Sequence, residues 1–312
     1  MLGPGVTEAD VASAISRSGY PLQTIVAGYC EDTGFHTVEE WSYLDKDSAQ
    51  LRTIDVKAEK PLPSNIIKRP TDCRVRPSFV LLLECKQSQL PYVFFLSRHP
   101  IRTSHFPFLA GLRQFEIAIK TDDDRSTYNV GVLGALGLES NGFVVSKPEY
   151  CTSFSKCVRK GSELELSGSD PFLSLVSPLI KSLQHFQVAV NPPDTASYFD
   201  LYLTLAVAVL DAPMLGVRVQ ESGNEIVPIP WVRTVRHEYF EGPLWERGRG
   251  FAVDIVHKDF LGTYVEQHAE PFAVDFSKLA IKHHQVLATG RAFVSGMRRR
   301  GFSGVESGLE PR

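Results

Sequence analysis

The chain has 312 residues, with 33 Lys and Arg against 36 Asp and Glu, a formal net charge of −3, and 43% hydrophobic and 22% charged residues. Such a length and composition suit a folded chain of one large domain or two ordinary ones. The slight negative charge excludes global attraction of polyanions, so any contact with nucleic acid needs a local basic patch. The five cysteines, Cys30, Cys73, Cys85, Cys151 and Cys157, are odd in number and include no C-x-x-C pair, which argues for reduced thiols rather than a disulfide framework. Cys151 and Cys157 lack a second pair with zinc-ligand spacing and read as ordinary thiols.

Taken in order, MLGPGVTEAD lacks the basic and apolar regions of a signal peptide, so a cytoplasmic protein is expected. Thr7 caps a helix carrying Val11, Ala12 and Ile15 on one face and ending at Gly19. Leu22 to Gly28 reads as a brief strand or an extended entry segment. His36 to Leu44 and Leu51 to Ala58 read as strands joined by the polar turn Asp45 to Ala49. In the second, Ile54, Val56 and Ala58 alternate with Thr53, Asp55 and Lys57. Matching faces across this hairpin groups Trp41 and Tyr43 with Ile54 and Val56, and sets Glu40 opposite Asp55. Two opposed carboxylates repel unless a cation sits between them. Lys60 to Pro77, carrying Lys68, Arg69, Arg74 and Arg76, reads as a basic, proline-rich loop.

Phe79 to Gln87, FVLLLECKQ, is the most informative stretch. A run this short and apolar reads as a strand buried on both faces. Alternation sends Leu82, Glu84 and Lys86 to one side and Leu83 and Cys85 to the other. A carboxylate and an ammonium thus leave the end of a buried strand together, where they must pair, bind a metal or reach solvent. Tyr92 to Leu96 follows as a second aromatic strand after Pro91. From His99 to Gly142 periodicity is poor; Arg98, His99, Arg102, His105 and Arg113 cluster there.

Asp170-Pro171 starts a helix of four turns, with a kink expected at Pro178. Tyr202 to Leu210 and Leu215 to Val219 read as strands joined at an Asp-Ala-Pro turn. Asp211, Pro213 and Arg218 interrupt this apolar region, which argues against a membrane span. Ile226 to Arg236 reads as a third, irregular strand. Val253 to His257 is a short strand, Phe260 to Gln267 a helix, and Lys278 to Met297 a terminal helix; His283 and His284 would point to different faces of it. The stretch 301–312 is expected to be a disordered tail. Arg233, Arg236, Arg247, Arg249 and the run Arg298 to Arg300 are basic groups available to phosphates. No phosphate-binding loop or nucleophile motif stands out.

Strands lie about 4.8 Å apart, so Asp55 and Glu84 on neighbouring strands could share one hard cation, helped by the Cys85 backbone carbonyl. Mg²⁺ suits one or two carboxylates with water and phosphate filling the remaining positions. A nearby lysine could orient the attacking water and offset charge in the transition state. The order helix, strand, strand with Asp55, then strand ending in Glu84-x-Lys86, with RTIDVKA followed by LLLECKQS, resembles the PD-(D/E)XK, restriction-endonuclease-like nuclease superfamily in its Mrr-like branch. The resemblance spans about residues 7 to 97, with Ile54 in place of the motif's proline. It implies an α/β fold with an αβββαβ core and mixed central sheet, extended by C-terminal strands and helices. Residues 1–100 would carry the metal site, and 101–300 would complete and extend the sheet.

The same resemblance implies Mg²⁺-dependent DNA cleavage, with Mn²⁺ as substitute, in defence against foreign DNA. Asp55 and Glu84 would be ligands together with the Cys85 carbonyl, and Lys86 the catalytic lysine. Gln87 matches a polar residue often found after that lysine, and Glu40 or Glu8 would complete the acidic set. Cutting both strands of a duplex with one site per chain calls for a dimer or two encounters, and the expected partners besides DNA are a second copy of the chain, as a homodimer, or a partner protein of a defence system. The alternatives are a catalytically degenerate nuclease-like scaffold and an enzyme acting on a smaller phosphoester. The competing structural account is a solvated ion pair at a strand end for Glu84 and Lys86, and a surface pair with Lys57 or Arg52 for Asp55.

Overall fold

The computed structural model describes residues 2–62, 73–101, 103, 106–121, 127–193, 195–196, 198–238, 249–294 and 308–311. Lys68, Arg69, Arg102, His105, Arg247 and Arg298 to Arg300 lie outside them, as does most of the expected tail. Two helices open the chain, α1 (Glu8–Arg17) and α2 (Tyr20–Asp32), followed by β1 (His36–Asp45), β2 (Gln50–Pro61) and β3 (Val75–Gln87). Next come β4 (Tyr92–Leu96), β5 (Phe108–Ala110), β6 (Glu116–Thr121), β7 (Thr127–Gly131), α3 (Val132–Ala135), α4 (Gly142–Val145), β8 (Glu149–Lys160) and β9 (Glu163–Leu166). The second half holds α5 (Ser177–Ala189), β10 (Phe199–Asp211), β11 (Met214–Gln220), β12 (Gly223–Pro228), β13 (Trp231–Glu238) and β14 (Arg249–His257). It closes with α6 (Leu261–Tyr264), α7 (Glu270–Lys282), α8 (His284–Thr289), β15 (Arg291–Val294) and β16 (Leu309–Pro311).

Thr7 caps α1 as its sequence requires: its hydroxyl accepts from the Asp10 amide while the Asp10 carboxylate accepts from the Thr7 amide. The following segment is a helix where a strand is expected. Pro21 sits in its first turn, and Leu22, Gln23, Val26, Ala27 and Cys30 recur at helical spacing as its buried face. The helix begins at Asp170 and Pro171 as expected and continues without a break through a π-helical turn, Phe172–Val176, into α5, with Pro178 just after that turn. The wider turn accommodates the proline's missing donor and its clash with the preceding carbonyl.

Twelve strands among the described residues form one mixed sheet whose main path is β1-β2-β3-β10-β14-β13-β8-β4-β11-β12. β1, β2 and β3 are an antiparallel meander, and β10 lies parallel to β3 along its whole length. β3 and β10 turn the same corner together. The Ser88 amide donates to the Asp211 carbonyl and the Tyr92 amide to the Pro213 carbonyl, so the two continue as the parallel pair β4 and β11. Phe79 to Leu83 and Leu201 to Leu210 are almost fully covered because layers pack on both sides. One layer holds α2, α7 and α8 over Val56, Leu81, Leu83, Cys85 and Val207; the other holds α5 over Ile54, Leu82, Ala206 and Ala208.

Elsewhere the chain breaks more often than its sequence suggests. The stretch expected as one strand from Ile226 is two, β12 on β11 and β13 on β14 and β8, parted at Ile229 and Pro230. The expected terminal helix ends early. Gly290 takes a left-handed turn at φ +64°, where a Cβ would collide with Gln114. β15 then leaves it, and it pairs with β6 and β16 in a second sheet of order β16-β15-β6-β7. Leu309–Pro311 is therefore ordered where a disordered tail is expected.

Arg233 is a buried structural group, 1% exposed, instead of a phosphate contact. Its Nε and Nη2 donate to the two Asp254 oxygens at 2.7 and 2.9 Å, its Nη1 donates to the Phe143 carbonyl, and the guanidinium lies 3.5 Å from the centre of the Phe106 ring. The Tyr264 hydroxyl donates to Asp254 at 2.9 Å. Removing one partner strands a buried charge, at about 3–5 kcal/mol. Arg233→Met should lose that much in urea unfolding, and Arg233→Met with Asp254→Leu should recover most of it; a cost below about 1 kcal/mol for the single change would show that the pair does not anchor β13 to β14.

Candidate metal centre

The site forms where a ladder ends. β2 pairs with β3 from Pro61↔Ser78 as far as Val56↔Leu83 and then parts from it. Past that point the Cys85 amide donates to Asp55 Oδ2 at 2.6 Å, so a side-chain carboxylate takes over from the departing backbone. Within a strand the N–H and C=O of one residue face the same neighbour. The Cys85 carbonyl therefore looks toward the gap that β2 vacates.

β1 breaks at the same level. Its register with β2 is constant, with Glu39↔Val56 and Trp41↔Ile54 bracketing Glu40 and Asp55, which are thereby brought opposite each other. Glu40 has φ +50°, a left-handed conformation that costs a non-glycine residue about 1–3 kcal/mol. One consequence overturns the hairpin reading. Val56 packs in the α2 layer, whereas Ile54, Trp41 and Tyr43 pack in the α5 layer. Both strands exchange faces at this level, so Trp41 and Tyr43 join Ile54 but not Val56. They lie on the side of the sheet to which Leu82, Glu84 and Lys86 point.

Glu84 is 6% exposed; its Oε1 accepts from Lys86 Nζ at 2.6 Å, and its Oε2 has no hydrogen-bond partner. Burial first, then the charge of Asp55, pushes Glu84 up to about 7, against the pull of Lys86. Asp55, half-buried, is also raised: burial and the nearby Glu40 outweigh the Cys85 amide and Lys86. Burial alone would depress the Lys86 ammonium, but Glu84, by charge and hydrogen bond, and Asp55 hold it above its ordinary value. Two acids raised together, with one buried oxygen unpartnered, make a pocket short of positive charge. An all-oxygen set of carboxylates and one carbonyl suits a hard cation such as Mg²⁺. Among the described residues, no three His, Cys, Asp or Glu side chains already converge as a ligand cluster. A cation there would draw on Asp55, Glu84 and the carbonyl, with Glu40 nearby.

The other expected residues divide. Glu40 acts electrostatically on both Asp55 and Glu84. Glu8 lies exposed in the first turn of α1, which suits the helix dipole, and does not figure among the charges acting on either acid. Gln87 turns to the C-terminal end of α1, its Nε2 donating to the Ser16 carbonyl at 3.2 Å. Of the basic groups considered for phosphate, Arg236 packs against the Phe172 ring, and the side chain of Arg249 lies outside the described residues.

Residues missed in the sequence also support the site. Gln23, buried on α2, donates from Nε2 to the Asp55 carbonyl at 3.2 Å and faces Glu39 Oε2 at 3.4 Å, holding β2 where it leaves β3. A polar residue within an apolar helical face was the available signal, hidden by reading the segment as a strand. Asp45, 1% exposed, takes Lys181 of α5 at 2.8 Å and Arg52 at 3.0 Å, and so fastens the hairpin turn to α5.

No protein-family model, curated protein or solved structure matches the chain. No helix among the described residues is long and apolar enough to cross a membrane.

Because Glu84 titrates above its ordinary value when folded, the folded chain keeps a proton that the unfolded chain releases between about 4.5 and about 7. Stability therefore falls as pH rises through that window. Glu84→Gln should melt higher than the parent above pH 7, with the advantage disappearing toward pH 4.5. A parent melting temperature independent of pH between 5 and 8, with no gain in the variant, would mean that Glu84 is not under this strain.

Proposed function

We propose that this chain is a Mg²⁺-dependent DNA endonuclease with a restriction-endonuclease-like core, hydrolysing phosphodiester bonds. Defence against foreign DNA is the setting that the sequence resemblance favours. The observation that carries the reading is the end of the β2–β3 ladder. There Asp55, held by the Cys85 amide, stands beside the unpartnered Glu84 Oε2, with Lys86 adjoining. The opening elements add support: α2, β1, β2 and β3 follow one another as the helix and three strands that the resemblance implies, while β4 to β9, α3 and α4 separate β3 from α5 and β10.

In this reading Asp55, Glu84 Oε2 and the Cys85 carbonyl hold the ion, with Mn²⁺ able to replace Mg²⁺. Bound there, the ion would lower the pKa of a ligated water and offset charge developing on the phosphate. Lys86 serves as a cation instead of a base, because Glu84 and Asp55 keep it protonated at neutral pH. Its Nζ orients the attacking water and steadies the negative charge that grows on the phosphate oxygens. Gln23 keeps the Asp55 backbone in place.

A second reading, a nuclease-like scaffold without activity, draws on the closed Glu84–Lys86 pair and on the absence of a converged acidic trio among the described residues. The two readings predict different things. For the nuclease, Asp55→Ala, Glu84→Ala and Lys86→Ala should each lower Mg²⁺-dependent plasmid nicking by at least about 100-fold while the chain still melts cooperatively. For the scaffold, the parent neither nicks DNA with any divalent ion nor gains thermal stability from one.

A further inference from the structure

The α5 side of the site contains a second unpartnered atom. Tyr43 is 1% exposed, and its hydroxyl has no hydrogen-bond partner, as is true of Glu84 Oε2. Both groups belong to the same side of the sheet. The face exchange at Glu40 carries Tyr43 into the α5 layer beside Ile54 and Leu82, and alternation along β3 puts Glu84 on the side of Leu82. Burial first of all pushes the phenol up to about 12, against the pull of Arg52, and the charges of Asp45 and then Glu84 add to the rise. Tyr43 is therefore a neutral donor at any physiological pH. Leaving one buried hydroxyl unpaired costs about 1–3 kcal/mol, and a carboxylate oxygen more. Two such unpaired groups on one side of the sheet leave hydrogen-bonding capacity for a polar ligand.

Packing alone explains the ring but not its oxygen. Trp41 stacks beside Tyr43 at 6.5 Å between centres, and His185 of α5 lies 6.4 Å away. Phenylalanine would fill that space without the cost of an unpaired hydroxyl.

Resting on the metal-centre reading above, we propose that Tyr43 is a positioning residue of that centre: its hydroxyl bonds a water of the hydrated divalent ion on the Glu84 side, fixing the orientation of Glu84 Oε2. Hydrogen-bond partners that orient ligands in this way are worth about 10–100-fold in metal affinity. The role is distinct from ligation. Tyr43 touches the ion through water and does not exchange a proton.

The test is Mn²⁺ affinity of the full chain, measured by electron paramagnetic resonance of the free ion, together with the metal-free melting temperature. Tyr43→Phe should raise the Mn²⁺ Kd at least about 10-fold, while the metal-free protein melts at or above the parent temperature, because only an unpaired hydroxyl is lost. Trp41→Phe, which disturbs the same aromatic packing and removes no hydroxyl, should leave the Kd within about twofold. An unchanged Kd in Tyr43→Phe, or an equal rise in Trp41→Phe, overturns the assignment. If the parent binds Mn²⁺ and Asp55→Asn does not, the metal centre stands whatever Tyr43 does. If the parent binds none, both fall.

Discussion

The hydrogen bond from the Cys85 amide to Asp55 Oδ2 is the contact on which the candidate site depends. A buried strand cannot leave its amides unpaired, so β2 can part from β3 only if something replaces its backbone. Asp55 does so with its side chain, and in doing so is held near Glu84 where β2 leaves β3. Repulsion follows from that arrangement. The three acids Glu40, Asp55 and Glu84 act on one another, Glu84 and Asp55 are both raised, and one lysine does not balance them. The strain is local, and a divalent cation is the simplest group that would relieve it.

The rest of the molecule holds this opening still. β10 runs alongside β3 through its full length and closes the far edge of the central strand, leaving the β2 side as the place where the ladder ends. On one face, Gln23 of α2 ties down the Asp55 backbone; on the other, Lys181 of α5 grips Asp45 at the hairpin turn. Further out, Arg233 and Asp254 join β13 and β14 under Phe106, Phe143 and Tyr264, a polar knot inside an otherwise apolar layer. Such a knot is weak evidence for net stability, but it allows few alternative registers. The hydrolytic reading thus rests on a rigid frame around a small strained opening, which is how a site holds charges that would otherwise repel one another apart.

How much of this was legible from the chain depends on the range of the information each feature needs. Local patterns were sufficient for the Thr7 helix cap, the β1–β2 hairpin, the doubly buried run Phe79 to Leu83, and the placing of Glu84 and Lys86 on one side of the end of β3. Each is set by residues within a few positions or by strict alternation along one strand. The opposition of Glu40 and Asp55 was also readable, because hairpin register follows from turn position. The α2 segment misled because its β-branched residues and short apolar run satisfy both periods, and burial against the sheet decided for the helix.

Features that depend on partners distant in sequence were not readable. The face exchange at Glu40 and Asp55 breaks the alternation that strand reading assumes, and it exists because β2 must leave β3 while both hydrophobic layers stay filled. Gln23 and Arg233 acquire their contacts only when α2 packs on β2 and β14 pairs with β13; in the sequence they are an amide and a guanidinium like any others. The amino-acid pattern by itself determined the β1–β2 hairpin, the buried strand β3 and which of their side chains are acidic. Tertiary packing decided which of those acids meet, how deeply they are buried and which oxygen is left without a partner, because desolvation and unsatisfied hydrogen bonds are properties of the assembled layers and of no single segment.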